Sequence, residues 1–152
     1  MRFSRLSILV FCFVSLALAS VARACEASAV TKQINETIAQ VRSGKTTEAR
    51  RKAAERLESL TQRVRKKVIS QMLVDDIASL LNSRDDSVRY STVVSLGNLG
   101  PAAKSAAPKL LKLLPKEDCV NGAITTAGAI RYALVRMGIK PPPPPDCERI
   151  AG

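Results

Sequence analysis

Histidine and tryptophan are absent from this sequence of 152 residues, and aromatic residues make up only 3% of it. Without histidine the chain has no imidazole base, and it lacks a ligand that zinc and haem sites commonly use. The seven glycines are scattered, so no glycine-rich phosphate loop is present. No segment alternates apolar and polar residues with β-branched enrichment, as a strand would. These absences predict an all-α protein with an aliphatic core.

The same absences argue against an enzyme. The acidic pairs Asp75–Asp76 and Asp85–Asp86 are adjacent in sequence, whereas paired-carboxylate catalysis needs two groups that converge on one site. The serines have no base partner in the sequence. We therefore expect a non-catalytic protein with no cofactor and no metal.

The first 24 residues have the layout of a secretory signal peptide. Arg2 and Arg5 precede an uncharged apolar run, and the small residues Ala22 and Ala24 offer a cleavage site. We expect cleavage near Ala24 and a mature chain that begins at Cys25, in the periplasm or outside the cell. Two alternatives stay open: an uncleaved N-terminal anchor, and lipidation of Cys25.

Three segments of the chain resemble one another at a fixed spacing. "ARRKAAERLESL" starts at Ala49, "VRYSTVVSLGNL" starts 39 residues later at Val88, and "AGAIRYALVRMG" repeats the pattern a further 38 residues on. Such a period is typical of helix-pair repeats. It predicts a domain at 25–140 with units at about 27–61, 62–100 and 101–138, followed by a proline-rich tail at 141–152. The residues expected to pack the repeats are Leu57, Leu60, Val88, Arg89, Leu96, Leu99, Gly100 and Leu134.

The middle unit carries a resemblance to a known repeat family. The stretch "DDSVRYSTVVSLGNLGPAAKSAAPKLLKLL" resembles the HEAT-like repeat, in the short bacterial form related to phycobilisome-lyase repeats. The flanking units match less closely, since "ARRKAAERL" lacks the glycine turn. The resemblance implies a short right-handed α-solenoid of about three helix pairs that binds other macromolecules. Some relatives act on bilin pigments, but the repeat encodes packing and no lyase activity is carried over.

Local signals predict where the helices begin and end. Asp85, Asp86 and Ser87 are N-cap candidates for the second helix of the middle unit. Gly100 can adopt the positive φ that ends a helix, and Pro101 can start the next segment. Pro108 is awkward inside a helix, so a helix is expected to begin near residue 107 or to kink there.

The apolar spacing also predicts the buried faces of the helices. The first helix of the middle unit is expected to run from Val64, with Met72 in its apolar stripe. The second helix of the first unit is expected to bury a stripe that starts at Ala49.

Positive charge is concentrated in residues 42–67, which contain ten basic and three acidic residues. The candidate anion-binding face consists of Lys52, Arg56, Arg63 and Lys67. Its functional interpretation is contact with anionic lipid, a polysaccharide or an acidic protein. The other interpretation is a solvated face whose long side chains cover aliphatic surface. Nucleic acid is disfavoured by the exported location and by the lack of stacking aromatics.

Export would expose the cysteines to an oxidising compartment. We expect a disulfide between Cys119 and Cys147, which would latch the C-terminal tail along the last helix and cover its exposed edge. Cys25 would be left over. The alternatives are that Cys119 and Cys147 are unpaired or pair between chains.

The function predicted from these features is an exported helical-repeat module that binds a protein partner. The alternative from another class is an electrostatic binder of anionic envelope lipid or polymer through the basic face.

Overall fold

The computed structural model describes residues 29–64, 69–117 and 125–144. It divides into two compact units, Met1–Gln33 and Ile34–Gly152, and the packing reported below is that of the larger one. The predicted signal peptide and the residues Cys25, Lys67, Cys119 and Cys147 lie outside the described residues. Their predictions therefore stay predictions.

Every regular element in the described part of the chain is helical, which confirms the all-α prediction there. None of the described helices is long and apolar enough to cross a membrane. The α-helices are α1 (29–43), α2 (Thr47–Arg63), α3 (Gln71–Ser79), α4 (Asp86–Leu99), α5 (Ala107–Glu117) and α6 (Thr126–Arg136). A 3-10 turn, Leu80–Asn82, follows α3, and a 3-10 segment, Gly100–Ala106, links α4 to α5.

Matching N-caps begin α2, α4 and α6. The side chains of Thr46, Asp85 and Thr125 each accept a hydrogen bond from a backbone N–H in the first turn, at 3.1, 3.0 and 3.1 Å. These caps satisfy N–H groups that have no partner inside the helix. The prediction of an N-cap before α4 is confirmed, with Asp85 as the capping residue.

Glycines with positive φ follow α4 and α6. Gly100 has a φ of 58°, as predicted, and Gly138 has a φ of 78°. After α6 the N–H of Gly138 donates to Val135 at 3.0 Å and that of Ile139 donates to Leu134 at 2.9 Å, which is the Schellman pattern. Pro101 lies in the first turn of the 3-10 segment, where its missing N–H is not needed.

Three predictions of local structure meet different outcomes. The start of α5 at Ala107 is confirmed. The start of a helix at Val64 is wrong, because Val64 is the C-cap of α2, and Ser70 caps α3 by accepting from the N–H of Leu73 at 3.3 Å. The burial of Met72 is also wrong, since this side chain is 75% exposed. A helix that buries Leu73 and Ile77 turns position 72 towards solvent.

The stripe predicted for α2 is correct except at its first member. Ala53, Leu57 and Leu60 are buried, whereas Ala49 is exposed. Ala49 lies in the first turn of α2, and no neighbouring helix of the described ranges covers the apolar stripe at that end.

Helix α4 lies between α2 and α6 and packs against both. We call α2, α4 and α6 the second-helix row. Outside this row, α3 packs against the 3-10 segment Gly100–Ala106, and α5 packs against α6. The residues that are buried in α4 surround its axis: Val88, Ser91, Thr92, Val93, Ser95, Leu96, Gly97 and Leu99. They cover most of the helix circumference, and Tyr90, Val94 and Asn98 form a half-buried stripe on the remaining side. Such extensive burial is expected for a central helix rather than for an amphipathic surface helix.

Two buried hydroxyls in α4 are satisfied within the helix itself. The Thr92 hydroxyl donates to the carbonyl of Val88 at 2.7 Å, and the Ser95 hydroxyl donates to the carbonyl of Ser91 at 2.7 Å. Buried polar groups are costly only when they lack a partner. Helix α4 can therefore form the centre of the row although it buries several serine and threonine side chains.

Candidate functional site

The basic face predicted on α2 borders a shallow groove between α1 and α2. Lys52 and Arg56 lie along this groove, which has a volume of about 360 Å³ and also contains Gln40, Ser43, Gly44, Ala49 and Ala53. The ammonium group of Lys52 lies 3.5 Å from the carboxylate of Glu48. Arg56 and Arg63 have no ion-pair partner in the described ranges. Two exposed guanidinium groups are thus available to an anion there.

A second groove crosses the second-helix row. It has a volume of about 390 Å³ and reaches from α2 over α4 to the first residue of α6. Its lining is Glu55, Glu58, Asp86, Ser87, Tyr90, Ser91 and Thr126. We call it the row groove. Tyr90 is half-buried, so one part of its ring packs and another part faces solvent.

The electrostatics of the row groove are dominated by two carboxylates. Burial raises the pKa of Glu58, and the negative charge of Glu55 raises it further. A hydrogen bond from Ser91 offsets only part of this increase, so the pKa of Glu58 remains raised. Neither glutamate has an ion-pair partner among the described residues. Asp86 differs, because its carboxylate lies 2.7 Å from the guanidinium of Arg89. A cationic group bound between Glu55 and Glu58 would relieve their repulsion.

Arg89, predicted from sequence as a packing residue, joins α4 to the end of α5. Its guanidinium donates to Glu117 at 2.9 Å through Nε, and Nη2 lies 2.8 Å from the same carboxylate. Nη1 donates to the carbonyl of Ser83 at 3.1 Å. Burial would lower the pKa of Arg89, but its bonds to Glu117 and to Asp86 outweigh burial and raise it. The other predicted packing residues are all buried: Leu57, Leu60, Val88, Leu96, Leu99, Gly100 and Leu134.

A third groove contains residues that the sequence reasoning did not select. It has a volume of about 300 Å³ and is lined by Leu81, Asn82, Lys109, Lys112, Leu113 and Lys116. The signal was present in "PKLLKLLPK", where the lysines recur at intervals of three and four residues. The lysine spacing indicates a basic side of the helix, but it does not show that Leu81 and Asn82 lie beside that side.

Within the described ranges, no group of three or more acidic, cysteine or histidine side chains is arranged to hold a metal ion. The three grooves therefore offer charge and shape complementarity: an acidic groove on the second-helix row and two basic grooves elsewhere.

Comparison with known proteins gives no match among protein-family models, curated sequences or solved structures. The resemblance to HEAT-like repeats thus depends on the residues of this chain alone.

Proposed function

We propose that this chain is a non-catalytic helical-repeat module, a short solenoid of about three helix pairs, that binds a protein partner through the row groove. The observation that carries the proposal is the position of this groove. It crosses α2 and α4 and reaches α6, so its walls come from each predicted repeat unit. Repeat proteins use such continuous surfaces to bind extended partners.

The lining of the row groove supports a protein ligand. Tyrosine is enriched at the energetically dominant positions of protein interfaces, because its ring is large and loses little rotamer entropy. Tyr90 lies in this groove beside Glu55 and Glu58, whose charges are not balanced by a basic residue. The partner segment that fits has a lysine or arginine side chain for the carboxylates and a surface that packs on Tyr90.

The module would act outside the cytoplasm. This part of the proposal depends on the secretory layout of residues 1–24, and intact-mass analysis of the exported protein tests it. A mature chain that begins at Cys25 is expected. Retention of Met1 in a membrane fraction would contradict cleavage.

A photo-crosslinking amino acid placed at position 90 tests the partner contact in the cells that make the protein. We expect one covalent adduct from position 90, identified by mass spectrometry, and none from the matched control position 72, where Met72 is exposed on α3. The partner should then bind the purified Glu58→Gln and Tyr90→Ala variants at least about tenfold more weakly than the parent chain. Equal adducts from both positions, or unchanged affinity of both variants, would contradict the proposal.

A second candidate function is favoured by the unpaired Arg56 and Arg63 on α2. In this alternative the basic face binds an anionic lipid surface or polymer of the cell envelope. Salt screening weakens contacts between exposed charges from about 0.05 to 0.2 M, and it would weaken both the polyanion contact and a partner held by Glu55 and Glu58. The variants therefore distinguish the two functions. Binding that is lost in Arg56→Glu with Arg63→Glu favours the polyanion, and binding that is weakened in Glu58→Gln and Tyr90→Ala favours the protein partner.

A further inference from the structure

Among the described residues, the groove between the 3-10 turn Leu80–Asn82 and α5 is lined by three lysines and by no acidic residue. Lys109, Lys112 and Lys116 lie along it. Their spacing places all three on one side of α5, since residues three and four apart are neighbours on a helix. We call this feature, with Leu81, Asn82 and Leu113, the lysine groove.

These lysines have no counter-charge in the described part of the chain. All three side chains are exposed, and none has an ion-pair or hydrogen-bond partner there. Like charges at these spacings repel and destabilise a helix. By contrast, Lys52 on α2 is paired with Glu48 one turn away. The charge of α5 is therefore available to a ligand from outside.

The floor of the lysine groove is apolar. Leu81 is only 6% exposed, and Leu113 is half-buried. Neither leucine is an exposed apolar side chain, whereas the three lysines that line the groove with them are exposed. A membrane surface is disfavoured by this arrangement, because insertion needs apolar side chains that protrude. A ligand that enters the groove can reach both the leucines and the lysines.

We propose that the lysine groove binds an acidic peptide segment, with an apolar side chain on Leu81 and Leu113 and flanking carboxylates on the lysines. Lys109 and Lys116 are separated by about 10 Å along the axis of α5, at 1.5 Å per residue. In an extended peptide, carboxylates two positions before and two positions after an apolar residue lie on the same face as that residue and span about 13 Å, which the long lysine side chains can bridge. Asn82 adds an amide that can bond the peptide backbone. This site is distinct from the row groove, whose carboxylates would repel the same peptide.

Fluorescence anisotropy with two labelled peptides tests the proposal on the purified full chain. One peptide contains Glu-Ser-Leu-Ser-Glu between neutral flanks, and the other contains Gln-Ser-Leu-Ser-Gln. The groove variant carries Lys109→Gln, Lys112→Gln and Lys116→Gln. The matched control carries Lys45→Gln, Arg84→Gln and Lys104→Gln, which removes the same charge from other exposed and unpaired positions.

We expect the acidic peptide to bind the parent chain and the control variant within about twofold of each other. The groove variant should bind it at least roughly tenfold more weakly, because three charge contacts of modest strength add up to that factor. The glutamine peptide should not bind. Equal loss in both variants would overturn the proposal, since it would show a response to net charge alone.

Vesicles that contain phosphatidylglycerol provide the remaining comparison. Vesicle binding that only the groove variant loses, without binding of the acidic peptide, would overturn the proposal in favour of a lipid surface. Thermal melting of the groove variant shows whether it is folded. Since the three changes remove repulsion on an exposed face, we expect its melting temperature to be unchanged or higher.

Discussion

The two joints between successive helix pairs differ in how they are held together. The first joint comprises the contacts of α1 and α2 with α3 and α4, and each of its polar bonds includes at least one exposed or half-buried partner. The side chain of Arg51 is 46% exposed, although that of Asp85 is only 8% exposed. Arg42 donates to Asp76 at 2.9 Å, Arg51 lies 3.2 Å from Asp85, and Asn98 donates to the carbonyl of Glu58 at 3.3 Å. Long side chains bridge the helices there, so small changes in spacing can be absorbed.

The second joint comprises the contacts of α3 and α4 with the 3-10 segment, α5 and α6, and it is tight. A β-carbon added at Gly97 would lie 3.1 Å from Cβ of Ala133 and 3.2 Å from its Cα. The same joint contains the pair of Arg89 with Glu117, whose side chains are only 17% and 10% exposed, so both partners are shielded. The second joint therefore depends on the absence of a side chain at Gly97 and on a shielded ion pair. We expect substitutions in this joint to lower the free energy of unfolding more than substitutions in the first joint.

The largest effect is expected from Gly97→Leu. The leucine side chain has no space against Ala133, so α4 and α6 must separate, and the free energy of unfolding should fall by about 3 kcal/mol or more. Urea unfolding followed by circular dichroism measures the change.

The smaller Gly97→Ala substitution provides the graded control for this clash. Alanine gains about 1 kcal/mol in helix propensity but meets Ala133. Adding Ala133→Gly to Gly97→Ala should recover stability relative to the sum of the single changes, because the pair then exchanges volume. An unchanged urea midpoint for Gly97→Leu would show that the joint is looser than the structure has it.

Arg89→Met should have the next largest effect. It leaves the carboxylate of Glu117 buried and without its partner, and breaking a shielded ion pair costs about 2–4 kcal/mol. The double variant Arg89→Met with Glu117→Gln removes both charges and should be more stable than Arg89→Met alone. If the double variant is the less stable of the two in urea unfolding, the pair is not the source of the effect.

Asp85→Ala tests the first joint and is expected to cost about 1–2 kcal/mol through the lost N-cap of α4. Burial by itself would raise the pKa of Asp85, but bonds from Arg51 and from the N–H groups of Val88 and Ser87 outweigh it and lower the pKa. Asp85→Asn is the matched control, because asparagine also caps helices but cannot pair with Arg51 as an ion. It should retain most of the stability.

The lowered pKa of Asp85 predicts how its contribution to stability changes with pH. A carboxyl group with a lowered folded pKa stabilises the fold fully above its unfolded pKa of about 4, and the contribution is lost as the pH falls through the folded value. The stability gap between the parent chain and Asp85→Asn should thus be constant near neutral pH and shrink below about pH 4. A gap that widens in acid would contradict the assignment.

Features that depend on local stereochemistry could be predicted from the sequence. Gly100, Pro101 and Asp85 act on the few residues beside them, through a positive φ, a missing N–H and a short acceptor. Their roles are therefore visible without knowledge of the neighbouring helices. The exposure of Met72 could not be obtained in this way, because it depends on which face of α3 the neighbouring helices cover.

Features that depend on tertiary proximity were not visible in the sequence. The pairing of Arg89 with Glu117 joins residues 28 positions apart. The lysine groove needs Leu81 beneath α5, and the row groove needs Tyr90 beside Glu55 and Glu58. Charge spacing on one helix indicates a basic face, but only packing shows whether that face borders a groove.

The C-terminal tail is predicted to cover an exposed edge of the last helix, α6. Tyr132 and Val135 on α6 are 60% and 59% exposed. Residues 142–144 are exposed too. Tyr132 and Val135 lie three residues apart and form an exposed edge of α6, which the rest of the tail would cover in the predicted arrangement. The disulfide that would draw the remaining tail back stays a prediction.

The smallest effect on stability is expected from reversing the basic face of α2, which belongs to neither joint. Lys52→Glu, Arg56→Glu and Arg63→Glu change exposed side chains, and each should alter the free energy of unfolding by about 0.5 kcal/mol or less. Lys52→Glu also exchanges the pair with Glu48 for a repulsion. Arg63→Glu should be the most costly of the three, because a negative charge in the last turn of a helix opposes the helix dipole. Helical circular dichroism should be retained, including when Lys67→Glu is added. Its loss would refute the placement of this face on the surface, whereas retained helicity with lost binding to anionic vesicles would favour the polyanion function over the protein partner.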